Sequence, residues 1–264
     1  MKQLQGVAAF SPARWNDQER IALLSDDGTS IRALDLSKPI GPGNPRLITT
    51  GDGGYATTPS FSHDGKRIVY VRTQHPRGGG DGPNVGIVAG RPGHGPMDLY
   101  IIDYEGGVGT ALEGASRANF NEYYPAFSPD SRLITFTGAP HGGSAYNNGN
   151  AEIFVVPSGG AEEPIRLRAN DPPACTGRTS PGVTNSWSKW APRVSEHQGK
   201  RYYFLTFSST RREGGIHQLY LTAIVDDGEA LHTFPALHLW NQIPDEGNHT
   251  PAWEEFFIPI VVPG

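Results

Sequence analysis

One phrase recurs along the chain. TTPSFSHDGKRIVYV at 57–71 returns as YYPAFSPDSRLITFT at 123–137, more loosely as NSWSKWAPRV…GKRYYFLTFS, and in part as NHTPAW. Each copy sets an aromatic, a turn and an alternating apolar run in the same order. Aligned on the aromatic, Phe10, Phe61, Phe127, Trp190 and Trp253 stand 51, 66, 63 and 63 residues apart. A strand-rich period of that size belongs to propeller blades rather than helical solenoids. No long 3.6-residue apolar pattern competes with it.

Each unit divides into strands. The first is short and carries the anchor: VAAFS, TPSFS, YPAFS, WSKWA and TPAWE. The second alternates or runs apolar: RIALLS, RIVYVRT, LITFTG and YYFLTFS. The third is SIRALDL, DLYIIDY, EIFVVPS and QLYLTAI. A weaker fourth is PRLITT, GTALEG, EPIRLRA and LHTFPALHLW. The fold class expected is therefore all-β: a β-propeller of four-stranded antiparallel blades that bury their faces on each other. Four blades are recognisable, at about 7–50, 57–115, 123–169 and 186–240, with closing strands at 249–262, in a single domain over 1–264.

The turn residues have structural explanations. Pro59 is expected at the start of its strand, where a missing N–H is tolerated. Phe61 is expected to wedge between neighbouring blades. SHDG suits a type I turn, with Ser62 first, Asp64 bonding local backbone and Gly65 last, and SPDS at 128–131 is the same turn. Asp64 and Asp130 are thus read as turn formers rather than catalytic groups.

Gly 34 and Pro 23 in 264 residues mean many turns between short elements. The net charge of −5 speaks against a nucleic-acid module, which needs a basic stripe. No apolar run has transmembrane length. The opening MKQLQGVAAFSP has no apolar signal core, which leaves a cytosolic protein and a trimmed or mature form both open. Cys175 is the only cysteine, so no intrachain disulfide forms; its Pro/Gly-rich surroundings read as an ordinary loop.

The pattern x-P-x-F/W-S-P-D-G-x-x-I-x-[YF], followed by [DE]-[IL]-[YF]-[VI] and Gly-Gly, resembles the TolB-like β-propeller repeat. It stands here as TPSFSHDGKRIVYV…MDLYIIDYEGG and YPAFSPDSRLITFT…AEIFVVPSGG, and units one and four are degenerate copies. The resemblance covers nearly the whole chain and is specific for fold, while one fold hosts many activities. Propellers of the family commonly have six or more blades. Three readings follow: a four-bladed ring with an extra terminal hairpin, an open arc completed by another chain, or the C-terminal part of a longer protein. The last is favoured. The resemblance also implies a periplasmic or extracellular location.

In a four-stranded blade the loops from strand two to three, and from strand four to the next blade, emerge on one face. Those loops are the long ones here, at 73–97, 139–150 and 168–187. Long connections on a rigid scaffold often carry function. They supply a candidate binding face of His75, Arg77, Asp81, Asn84, His141, Tyr146, Asn147, Asn148, Arg178, Arg211 and Arg212. The starts of the first strands point to the axis at the same face. There Asn121, Glu122, Asn185, Asn248 and His249 form a candidate axial funnel. No metal-ligand spacing is present among the nine histidines. GDGG at 51–54 and GGGDG at 78–82 are at most weak Ca²⁺ loops. The expected function is a non-catalytic binding or scaffold propeller that recognises a protein, peptide or glycan, as a subunit of a cell-envelope assembly. The alternative is a polysaccharide lyase or hydrolase, with His249, Glu122 or His141 as acid–base or ligand groups.

Overall fold

The computed structural model describes residues 11–15, 20–25, 30–74, 96–141, 147–251 and 253. They form four antiparallel sheets in chain order. Sheet 1 holds β1 (Ser11–Trp15), β2 (Arg20–Ser25), β3 (Ser30–Asp35) and β4 (Arg46–Thr49). Sheet 2 holds β5 (Tyr55–Phe61), β6 (Arg67–Thr73), β7 (Met97–Asp103) and β8 (Thr110–Ala111). Sheet 3 holds β9 (Phe120–Phe127), β10 (Leu133–Pro140), β11 (Glu152–Pro157) and β12 (Ile165–Arg166). Sheet 4 runs β13 (Asn185–Trp190), β15 (Lys200–Ser209), β16 (Gln218–Asp226) and β17 (Leu231–Thr233). Within it β14 (Ser195–His197) pairs with β15, and β18 (Leu237–His238) with β16. The protein is an all-β propeller of four-stranded blades.

Two local expectations change. In sheet 1 the first strand is Ser11–Trp15 rather than VAAFS. The SPAR that follows Phe10 lacks the Asp and Gly of SHDG, so the chain stays extended and pairs as far as Trp15↔Arg20. Pro59 lies within β5 rather than at its start, inside a register shift between Thr57 and Ser60. A bulge leaves a residue unpaired, so the missing N–H removes no ladder bond.

The repeated turn also joins blades. Ser62 O accepts Gly65 N at 2.9 Å, and Asp64 Oδ1 accepts Ser62 Oγ at 2.6 Å and Lys66 N at 3.0 Å. Gly65 takes the left-handed φ of +67° that closes this turn. Ser131 holds the same conformation in the next copy, and its Oγ accepts His63 N at 2.8 Å, so the two turns dock side by side. Asp130 accepts the Tyr203 hydroxyl at 2.7 Å, tying sheet 4 to the turn of sheet 3.

Three apolar clusters hold the sheets, one at each successive interface. Phe61 lies between sheets 1 and 2 with Leu23, Ile31 and Tyr70. Phe127 lies between sheets 2 and 3 with Val69, Leu99 and Phe136. Trp190 lies between sheets 3 and 4 with Ile153, Val155 and Tyr203, and its indole donates to Ala126 O at 2.9 Å. These three anchors are the wedges that the repeat predicts. Phe10 lies outside the described residues. Trp253 is 37% exposed and donates to Thr206 Oγ1 at 2.7 Å on the far side of sheet 4. First strands lie against first strands, β1 on β5, β5 on β9 and β9 on β13, so they form the inner rim. Among the described residues, the core clusters do not return from sheet 4 to sheet 1. Nor is any described helix long and apolar enough to cross a membrane.

Candidate functional site

The inner strands share a device that their residue types do not advertise. Thr58, Tyr124 and Trp187 each stand three positions before an anchor, and each has a left-handed backbone, at φ of +44°, +53° and +58°. All three lie in the register shift of their strand. A β-branched or aromatic residue avoids this region unless its surroundings impose it. The bulge re-aims each side chain relative to the regular alternation.

Two of these rings meet, and two histidines from connections beside sheet 4 extend the row. Tyr124 and Trp187 have centroids 4.3 Å apart, Trp187 and His249 5.7 Å, and His249 and His217 4.2 Å. Ser208 Oγ lies 2.8 Å from His217 Nδ1 and 3.4 Å from His249 Nδ1. His217 Nε2 meets Asn147 Oδ1, which joins the 139–150 loop to the row. Burial, aided by the neighbouring His249, lowers His217 to about 4, so it is neutral at physiological pH. Trp187, His217 and His249 are half-buried, which leaves ring surface accessible.

The expected funnel residues divide into two groups. Asn248 and His249 lie at the row, with Asn248 N donating to His217 O at 2.8 Å. Asn121, Glu122 and Asn185 are buried instead of lining an open funnel. Glu122 pairs with Arg117 at 3.0 Å. Burial pushes its carboxyl up to about 8; Arg117 opposes the shift, and the nearby Asp98 adds to it. Burial raises Asp98 as well, against Arg72 and His141. For Glu122 the folded value exceeds the unfolded one, so its stabilising contribution is complete below about pH 4 and is lost as pH rises through about 8. Wild-type melting temperature is therefore expected to fall from pH 6 to pH 9 more steeply than that of Glu122→Gln. Parallel pH profiles for the two proteins would refute that role.

Asn185 belongs to a buried network. Arg211, expected on the exposed face, is 3% exposed and donates to Ala169 O at 2.6 Å and Asn185 Oδ1 at 2.7 Å. Its guanidinium lies over the rings of Phe207 and Tyr220. Burial lowers it to about 10, still charged at neutral pH. Asn185 donates to Asn170 O and Ser180 Oγ, and Ser180 donates to Glu152 at 2.6 Å. The 168–184 connection is thereby fastened to both blades that it joins.

The other loop candidates are placed as follows. His141 is exposed, with Nε2 2.9 Å from Phe120 O. Asn148 accepts Asn150 N at 2.9 Å. Arg178 is half-buried and Arg212 exposed. His75, Arg77, Asp81, Asn84 and Tyr146 lie outside the described residues, as does the GGGDG loop. In the other Gly/Asp-rich loop, Asp52 accepts Gly54 N at 2.7 Å and the Tyr70 hydroxyl, so its carboxylate is already engaged. Among the described residues no three His, Cys, Asp or Glu converge as a metal site. Sequence reasoning missed Thr58, Tyr124, Trp187 and His217. Their fixed offset from the anchors was the signal available for the first three.

Four-stranded blades with first strands innermost define the protein as a β-propeller that resembles the TolB-like repeat proteins. No protein-family model matches the chain, and no curated protein matches it. Among solved structures it is similar to a putative TolB from Agrobacterium tumefaciens, at 18% identity over 89% of this chain and 83% of that one, with a TM-score of 0.34. It is similar to a puromycin-hydrolyzing peptidase of Mycobacterium tuberculosis, at 17% identity over 88% of this chain, with a TM-score of 0.45; it spans 32% of that protein. An oligogalacturonate lyase in complex with manganese is 11% identical over 82% of this chain and 50% of its own, with a TM-score of 0.46.

Proposed function

We propose that the protein is a non-catalytic binding propeller that recognises a protein, peptide or glycan at the loop-bearing end of its inner strands, as part of a cell-envelope assembly. The observation that carries this reading is the ring row Tyr124–Trp187–His249–His217, in which Tyr124 and Trp187 are placed by strained bulges of two inner strands and the two histidines come from connections beside sheet 4. Strain retained at one repeated position suits a ligand surface. Trp187 supplies contact area with little side-chain entropy to lose, and the buried Tyr124 ring backs it. The neutral His217 imidazole and Asn147 add polar groups. The envelope location rests on the resemblance of the repeat.

The lyase or hydrolase alternative draws on Glu122, whose carboxyl is protonated near neutrality as a general acid requires. Its complete burial and its Arg117 partner favour a structural role.

The test is a panel of envelope glycans and extended peptides screened against wild type and Trp187→Gly. Glycine suits the left-handed φ, so the variant removes the ring without adding strain. Hits are expected to bind the variant about tenfold or more weakly, with cooperative melting retained. Equal affinity for both proteins would contradict the site.

A further inference from the structure

The face of sheet 4 turned away from sheet 3 carries a group that the ring row does not use. Strand register fixes which side chains share that face. Trp190 pairs with Leu205 and Phe207 with Tyr220, and all four pack against sheet 3. One position along, Lys189 pairs with Thr206 and Thr206 with Leu221, so these three project from the opposite face in one row. Trp253 joins them, since its indole donates to Thr206 Oγ1 at 2.7 Å. Trp190, Leu205, Phe207 and Tyr220 are buried, whereas Lys189, Leu219, Leu221 and Ala223 are half-buried and Trp253 is exposed.

Lys189 stands apart from the other described lysines. Lys38, Lys66 and Lys200 are exposed, and Lys38 pairs with Asp35 at 2.7 Å. The Lys189 amine has no ion pair and no hydrogen bond among the described residues. An ammonium withdrawn from water without a counter-charge is unfavourable, and release of its proton relieves the penalty. Burial accordingly holds the Lys189 amine below the usual lysine range, and no charged group contributes to the shift. More of it is uncharged at neutral pH than of an exposed lysine.

An uncharged amine set among apolar side chains is a nucleophile. Burial disfavours the ammonium that a carboxylate ligand would need, which selects a carbonyl electrophile instead. We propose that Lys189 captures an apolar aldehyde as an imine on this face of sheet 4. The Nζ lone pair attacks the carbonyl carbon, and one Nζ proton moves to the oxygen to give a carbinolamine. The new hydroxyl leaves as water with the second Nζ proton, and a C=N bond replaces the C=O. Trp253 and Leu221 receive the apolar body of the ligand.

The test is reductive trapping in the full chain, with benzaldehyde and cyanoborohydride at about pH 7, read at each lysine by peptide mass spectrometry. Lys189 is expected to be modified about tenfold or more faster than Lys66 and Lys200, a comparison made within one folded protein. Glyoxylate, an aldehyde that carries a charge in place of the ring, is expected to lose that preference. Trp253→Ala is expected to slow trapping at Lys189 about fivefold and to leave Lys66 unchanged. Any of three results would overturn the proposal: benzaldehyde trapping at Lys189 no faster than at Lys66 and Lys200, the same preference with glyoxylate, or an unaltered Lys189 rate in Trp253→Ala. None of these readouts involves the ring row, so the two readings stand or fall separately.

Discussion

Trp190→Ala is expected to lower unfolding free energy by about 3–5 kcal/mol, the range for deleting a large buried aromatic. The indole fills the interface between sheets 3 and 4, 8% exposed, against Ile153, Val155 and Tyr203. Its removal leaves a cavity walled by two blades that cannot both collapse into it. It also removes the indole hydrogen bond that Ala126 O accepts at 2.9 Å. The corresponding change at Trp253, more than a third exposed, is expected to cost below about 1 kcal/mol. Denaturant unfolding of both variants measures the difference. Similar losses at the two positions would mean that Trp190 is not an interblade wedge.

Arg211→Met is expected to cost about 2–4 kcal/mol and to loosen the 168–184 connection. Two effects oppose each other. An apolar replacement relieves the burial of a charge, and buried ion pairs are often replaceable on that account. Here, however, the partners include the carbonyl oxygen of Ala169 and the amide oxygen of Asn185, which stay buried after the substitution. Orphaned acceptors outweigh the relief, since each costs about 1–3 kcal/mol. Denaturant unfolding gives the cost, and amide exchange across 168–184 is expected to quicken more than exchange in sheet 2. A variant of wild-type stability with unchanged exchange would show that Arg211 holds nothing in place.

The second and third strands were legible because alternation and β-branched content agree there. RIVYVRT is β6, and DLYIIDY and EIFVVPS largely overlap β7 and β11. The turns were legible because Ser, Asp and Gly act within four residues of one another. PRLITT contains β4, but the other fourth strands were overestimated. GTALEG and EPIRLRA keep only two strand residues each, and LHTFPALHLW is divided by Pro235 into β17 and β18. An outer strand has one neighbour, so pairing is fixed by local breaks more than by apolar pattern.

The site was less legible. Thr58, Tyr124 and Trp187 are residues whose own preferences oppose a left-handed backbone, so only tertiary packing sets it. Arg211 and Glu122 are ionisable types, which argues for exposure in a linear reading. They are buried because Asn185, Arg117 and backbone groups from separate blades converge on them, and sequence spacing does not encode that convergence. Asn147 and His217 are 70 residues apart and meet for the same reason.

The central claim is that one aromatic per blade is locked between successive sheets, and indole hydrogen exchange tests it most directly. With the tryptophans assigned, the Trp190 indole N–H is expected to exchange only on global unfolding and to show contacts to the Ala126 region. The Trp240 indole, 87% exposed, is expected to exchange at the rate of a free side chain. A Trp190 indole that exchanges as fast as that of Trp240 would contradict the blade packing and the ring row built on it.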